Sequence, residues 1–137
     1  MPTSPSHSGT SRRVLVVDDE QTICDLVSKY LSRQGFEVVA VNTGAEALKL
    51  VDQSPFDLVI LDIALEDSDG LELLSAVKAS HPSLPVIMMT GMGFDEELVN
   101  EALARNASGY VSKGLPMNQL LMEIHRVIKQ SAPPGAQ

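Results

Sequence analysis

The sequence predicts an α/β fold in which five βα units in series build a parallel sheet between two helical layers. Three observations predict it. Short apolar, β-branched runs alternate with longer amphipathic ones along the whole middle of the chain. The apolar runs are nearly continuous, as strands covered on both faces are. Each amphipathic stretch is long enough to act as a crossover, and crossovers join parallel strands.

The strands read as Val14–Val17, Phe36–Val41, Leu58–Leu61, Val86–Met89 and Gly109–Val111. The helices read as roughly 21–34, 44–53, 70–80, 95–105 and 117–130. Local chemistry marks the boundaries. Gly35 follows the first helix, where a left-handed residue ends helices. Thr43 and Glu46 have capping-box spacing. Asp95 suits the N-cap of the fourth helix and Asn106 the left-handed position after it. Pro82 and Pro85 interrupt the chain before the fourth strand, and Pro116 suits the first turn of the last helix. On that last helix Met117, Leu120, Leu121, Ile124 and Ile128 share one face, which should be core; Met122, His125, Arg126 and Lys129 fall elsewhere. Right-handed crossovers place helices on both sides of the sheet, giving a (βα)5 three-layer sandwich of flavodoxin-like order 2-1-3-4-5.

Length and composition set limits. A chain of 137 residues suits one domain over 12–130. The Ser-, Pro- and Thr-rich stretch 1–11 and the tail 131–137 are expected to be disordered. No apolar run approaches the ~20 residues of a membrane span, and the N-terminus has no secretory apolar core, so the cytoplasm is the expected location. A net charge of −8 opposes direct nucleic-acid binding, and five aromatics offer no stacking platform. The lone Cys24 excludes an internal disulfide; it is expected at the edge of a stripe formed by Ile23, Leu26, Val27, Tyr30 and Leu31.

Binding sites in such sheets lie beyond the carboxyl ends of the strands. The first strand ends in Asp18-Asp19-Glu20, the third in Asp62 and the fourth in Thr90, and the fifth leads to Lys113. Carboxylates gathered at one rim repel one another, and a hard divalent cation such as Mg²⁺, which prefers oxygen ligands, relieves the repulsion. An acid cluster facing a lysine suits phosphoryl transfer to a carboxylate nucleophile. A single strand-end Asp is more often a turn or cap residue. That reading does not account for the whole set in this order. Met88, Met89 and Met92 beside Thr90 read as packing, since thioethers suit soft metals and this rim is all oxygen.

VLVVDDE at 14–20, LVILDIALEDSDGLELL at 58–74, PVIMMTG at 85–91 and GYVSKG at 109–114 resemble the receiver domains of bacterial response regulators, over residues 12–130. The resemblance implies that Asp62 is the phosphoacceptor. It also implies that Asp18, Asp19, Asp62 and the backbone carbonyl of Ala64 hold Mg²⁺, and that Thr90 and Lys113 contact phosphoryl oxygens. Tyr110 matches the aromatic that reorients together with Thr90 on activation. The implied donor is a histidine kinase or histidine phosphotransfer protein, and the implied output is contact with a downstream protein target. If the chain is complete it is of the stand-alone type.

Two positions depart from the family pattern. Leu65-Glu66 stands where Met-Pro is usual, which suggests a more mobile loop. Lys113-Gly114 replaces a Lys-Pro pair whose bond is cis; before glycine a cis bond costs roughly 2.5–4 kcal/mol, so a trans bond is expected. Rivals are a non-phosphorylated adaptor with the same fold, a magnesium-dependent phosphatase and a flavin carrier. A phosphatase usually has an acid where Ala64 stands, and no phosphate cradle for flavin follows the first strand. Ala64 and Met92 are expected to border the water's approach to the phosphoryl group, with no strong group to orient it, although Gly91 leaves the site open.

Overall fold

The structure is a computed structural model that describes residues 12–91, 95–114 and 116–131. The expectations for segments 1–11 and 132–137, and for Met92, lie outside the described residues. Ten elements alternate: β1 (Arg13–Val17), α1 (Gln21–Arg33), β2 (Glu37–Val41), α2 (Gly44–Gln53), β3 (Leu58–Asp62), α3 (Gly70–Ser80), β4 (Val86–Thr90), α4 (Glu96–Ala104), β5 (Gly109–Ser112) and α5 (Met117–Ser131). The sheet is parallel throughout, in the order β2-β1-β3-β4-β5. All ten elements agree with the sequence reading to within a residue or so. α5 runs through Ser131, a residue assigned above to the tail.

The period-2 alternation of the strands sorts the core into two layers. Leu15, Val17, Val59, Leu61, Val86 and Met88 face α2, α3 and α4, where Val51, Leu74 and Ala102 meet them. Val14, Val16, Leu58, Ile60, Ile87 and Met89 face α1 and α5. Met88 and Met89 are therefore core residues, one on each face.

The local stops act as read. Gly35 has a φ of 96° and Asn106 a φ of 72°, both left-handed. Thr43 accepts from the Glu46 N–H at 3.2 Å, and Asp95 accepts from Glu97 and Leu98. Pro116 stands one residue before α5, and its carbonyl accepts from Gln119 and Leu120. No cis peptide occurs among the described residues, so the Lys113–Gly114 bond is trans.

Two expectations change. Cys24, with Val27 and Leu31, forms the buried face of α1, while Leu26 is 49% exposed. A small side chain at position 24 lets the first turn lie against the end of β1, and the thiol donates to the Asp18 carbonyl at 3.2 Å. Burial pushes the thiol's pKa up, so it stays protonated and inert. The acidic loop after β3 is tied down at two points. The Glu66 N–H donates to Asp19 Oδ2 at 2.9 Å. The Asp67 carboxylate accepts from Gly44 N at 2.9 Å and from Ala45 N at 3.3 Å, at the positive end of α2. Those backbone donors hold the Asp67 pKa below the ordinary carboxylate value.

Candidate functional site

The register explains why the site residues converge. β1 and β3 are adjacent and end level, so Asp18 follows Val17 while Asp62 ends β3 beside it. β4 and β5 come next, ending at Thr90 and Ser112. Lys113 is held to that rim by its main chain, its N–H donating to the Thr90 carbonyl at 2.7 Å. Asp18, Asp62 and Thr90 are the buried polar or charged side chains among the described residues.

Carboxylate oxygens of Asp18, Asp19 and Asp62 all lie within 4.8 Å of one another. The Asp18 backbone is pinned: its N–H donates to the Val41 carbonyl at 3.1 Å, and its carbonyl accepts from Asn42 Nδ2 at 3.0 Å. Its Oδ1 accepts from the Glu20 N–H at 2.8 Å. Its Oδ2 is buried with no hydrogen bond, and lies 3.0 Å from Lys113 Nζ as an ion pair only. A buried carboxylate oxygen left in that state, amid two further acids, fits a hard divalent cation such as Mg²⁺.

The Lys113 ammonium bridges the cluster. It donates to Asp62 Oδ2 and to Asp18 Oδ1, each at 3.2 Å, and to Glu20 Oε1. Burial alone would favour the neutral amine, but the hydrogen bonds to Glu20 and Asp18 and the charge of Asp62 outweigh it; the pKa rises well above the usual lysine value. Burial pushes the Asp62 carboxyl up; the Ala64 N–H, donating at 3.2 Å, pulls it down. Asp18 adds to the rise and Lys113 offsets part of it.

Tyr110 packs into the layer that contains α4, with its hydroxyl buried. Burial raises the phenol's pKa, and hydrogen bonding with the Thr90 side chain opposes the rise. Thr90 and Tyr110, the two residues expected to act together as a switch, stand on the adjacent strands β4 and β5. Ala64 follows Asp62 by two and is exposed, with only a methyl group as side chain.

Sequence reasoning placed Asp18, Asp19, Asp62, Thr90 and Lys113 around one rim, and there they stand; Tyr110 lies within β5, opposite Met88. It gave no role to Glu20, Asn42 or Asp67. A third consecutive acid after β1 was the available signal for Glu20. Nothing local announces that Asn42 anchors the Asp18 carbonyl.

Residues 14–125 match the response regulator receiver domain family. The chain belongs to that family. A regulatory protein VanRc of Enterococcus gallinarum is 37% identical over 110 residues, covering 80% of this chain and 46% of that protein. A transcriptional regulatory protein ZraR of Klebsiella oxytoca is 35% identical over 121 residues, covering 88% of this chain and 27% of its own length. The chain thus spans less than half of these curated relatives. Among solved structures, a CheY-like receiver domain protein from Methanospirillum hungatei superposes with a TM-score of 0.84 at 30% identity, covering 89% of this chain and 97% of that one. The receiver domain of NtrX from Brucella abortus gives 0.80 at 37% identity, over 85% and 98%. No helix of the described receiver fold is long and apolar enough to cross a membrane.

Proposed function

We propose that this receiver domain is a phosphorylation-dependent switch of a two-component system or phosphorelay, in which Asp62 accepts a phosphoryl group from a histidine kinase or histidine phosphotransfer protein. The observation that carries the reading is the meeting of Asp62 with Asp18 and Asp19 on one side and the Lys113 ammonium, 3.2 Å away, on the other. A carboxylate oxygen of Asp62 attacks phosphorus as the phosphorus–nitrogen bond to the donor imidazole breaks. Asp18, Asp19, Asp62 and the Ala64 carbonyl hold Mg²⁺, which when bound neutralises charge on the transferred group. Lys113 pairs with one phosphoryl oxygen and Thr90 with another. The domain catalyses only its own phosphorylation and dephosphorylation, and works in the cytoplasm.

Output runs through Thr90 and Tyr110, which stand on the adjacent strands β4 and β5. Engagement of Thr90 by the phosphoryl group changes the setting of Tyr110 and biases the surface formed by α4, β5 and α5 towards a downstream protein. The net charge of −8 favours such a partner over direct contact with nucleic acid. A non-phosphorylated adaptor would have no use for a desolvated Asp62 facing a lysine. The deciding experiment incubates the protein with a small phosphodonor and Mg²⁺ and weighs it intact. One phosphoryl group is expected, absent in Asp62→Asn and strongly reduced in Asp19→Ala; full phosphorylation of Asp62→Asn would falsify the assignment.

A further inference from the structure

We propose that Glu20 is a positioning residue that latches the Lys113 ammonium in the unphosphorylated protein and competes with the phosphoryl group for it. The inference rests on the reading of Asp62 as phosphoacceptor. It begins from the donor inventory. An ammonium has three N–H donors and no acceptor. Asp18, Asp62 and Glu20 take one each. The Lys113 side chain is only 12% exposed, which leaves little room for water as a substitute partner. A phosphoryl oxygen on Asp62 must therefore displace one of the three acceptors.

Asp62, once it carries the phosphoryl group, loses the carboxylate charge that holds the ammonium, so the contest is between the phosphoryl oxygen and the two remaining acids, of which Asp18 is not free to leave. Asp18 is fully buried, pinned through its main chain, and part of the acid trio. Glu20 differs in each respect. Its side chain is 60% exposed and makes no other hydrogen bond among the described residues. Its main chain is fixed at the N-cap of α1, with its carbonyl accepting from Ile23 and Cys24, yet the side chain makes no cap bond. A fixed backbone with a free carboxylate is the arrangement of a latch. Beside the lysine's stem stands Gly91, where a Cβ would touch Lys113 Cδ at 3.5 Å, so the absent side chain leaves that flank of the stem open.

Glu20→Gln removes the charge and keeps the shape, and since the native side chain caps nothing it should leave folding intact. Two measurements test the latch. In the metal-free protein, reductive methylation followed by peptide mass spectrometry should modify Lys113 several-fold faster in Glu20→Gln than in wild type, with exposed Lys129 as the internal standard. At saturating Mg²⁺, ¹⁹F NMR titration with beryllofluoride should show several-fold tighter binding by Glu20→Gln. Unchanged methylation of Lys113 overturns the latch by itself. Unchanged or weaker beryllofluoride binding, with faster methylation, overturns the competition. If wild type binds no beryllofluoride at all, the phosphoacceptor reading fails and the competition fails with it.

Discussion

Helices α4 and α5 flank β5 from opposite faces of the sheet, and they are held by very different amounts of side chain. α5 buries Leu120, Ile124, Val127 and Ile128 in the layer it shares with α1. α4 buries Ala102 alone, with Leu98 partly covered, and leaves Leu103 half exposed. Much of the remaining hold on α4 is polar. Arg105, just past its end, donates to the Leu71 carbonyl and to Ser75 Oγ on α3, each at 3.1 Å. Segments with few buried apolar contacts open at the least cost. One neighbour of β5 is thus an anchor, and the other is the more easily displaced, as the proposed switch through Thr90 and Tyr110 requires.

The largest effect should come from truncating the anchor. Ile124→Ala deletes a fully buried side chain and should cost about 2–5 kcal/mol in urea unfolding. Leu103→Ala on α4 should stay within about 0.5 kcal/mol. Equal losses at the two sites would erase the distinction. Next, Arg105→Ala cuts the polar tie and should speed amide exchange across α4 while leaving α5 at its wild-type rate; uniform acceleration would mean that the guanidinium supports the whole fold.

A smaller effect is expected at alkaline pH. Burial raises the Tyr110 pKa, so the native state keeps that proton longer than the unfolded chain does. The resulting stabilisation is whole below a pH of about 10 and is lost as pH rises through the folded value. Urea midpoints should fall more steeply above that pH in wild type than in Tyr110→Phe, and exchange in α4 should rise first. Identical pH profiles would place the phenol outside the packed layer. The smallest effect belongs to Met122, 67% exposed on α5. Met122→Ser should change stability by less than about 0.5 kcal/mol, and a larger loss in an unfolding curve would mean that this face of α5 packs against something.

What the sequence made legible was chemistry acting over a few residues. Thr43, Asp95, Gly35 and Asn106 each do locally what their side chains or backbone freedom allow, so element boundaries were readable. The strand-end acids were readable because parallel order turns position in sequence into position at a rim. Choices between distant parts of the chain were not. The Glu20–Lys113 bond spans 93 residues, and nothing in either segment selects Glu20 over Asp19 as the lysine's partner. Asp67 caps a helix that begins 23 residues before it. α1 turned out to face the sheet through Cys24 rather than Leu26, because close approach to the Asp18 carbonyl favours the smaller side chain, and hydrophobicity alone ranks the two the other way.

Gly70, the first residue of α3, shows where movement is blocked. Its N–H donates to the Ile63 carbonyl at 3.0 Å, and a Cβ built on it would lie 2.5 Å from the Asp62 carbonyl oxygen and 2.6 Å from Ile63 Cα. Backbone here meets backbone with nothing between. In mechanical terms α3 is an end stop set against the strand that carries Asp62: a push from that carboxylate meets rigid main chain on this side. Under the proposed switch, any movement of the Asp62 strand is then taken up away from α3 rather than into it.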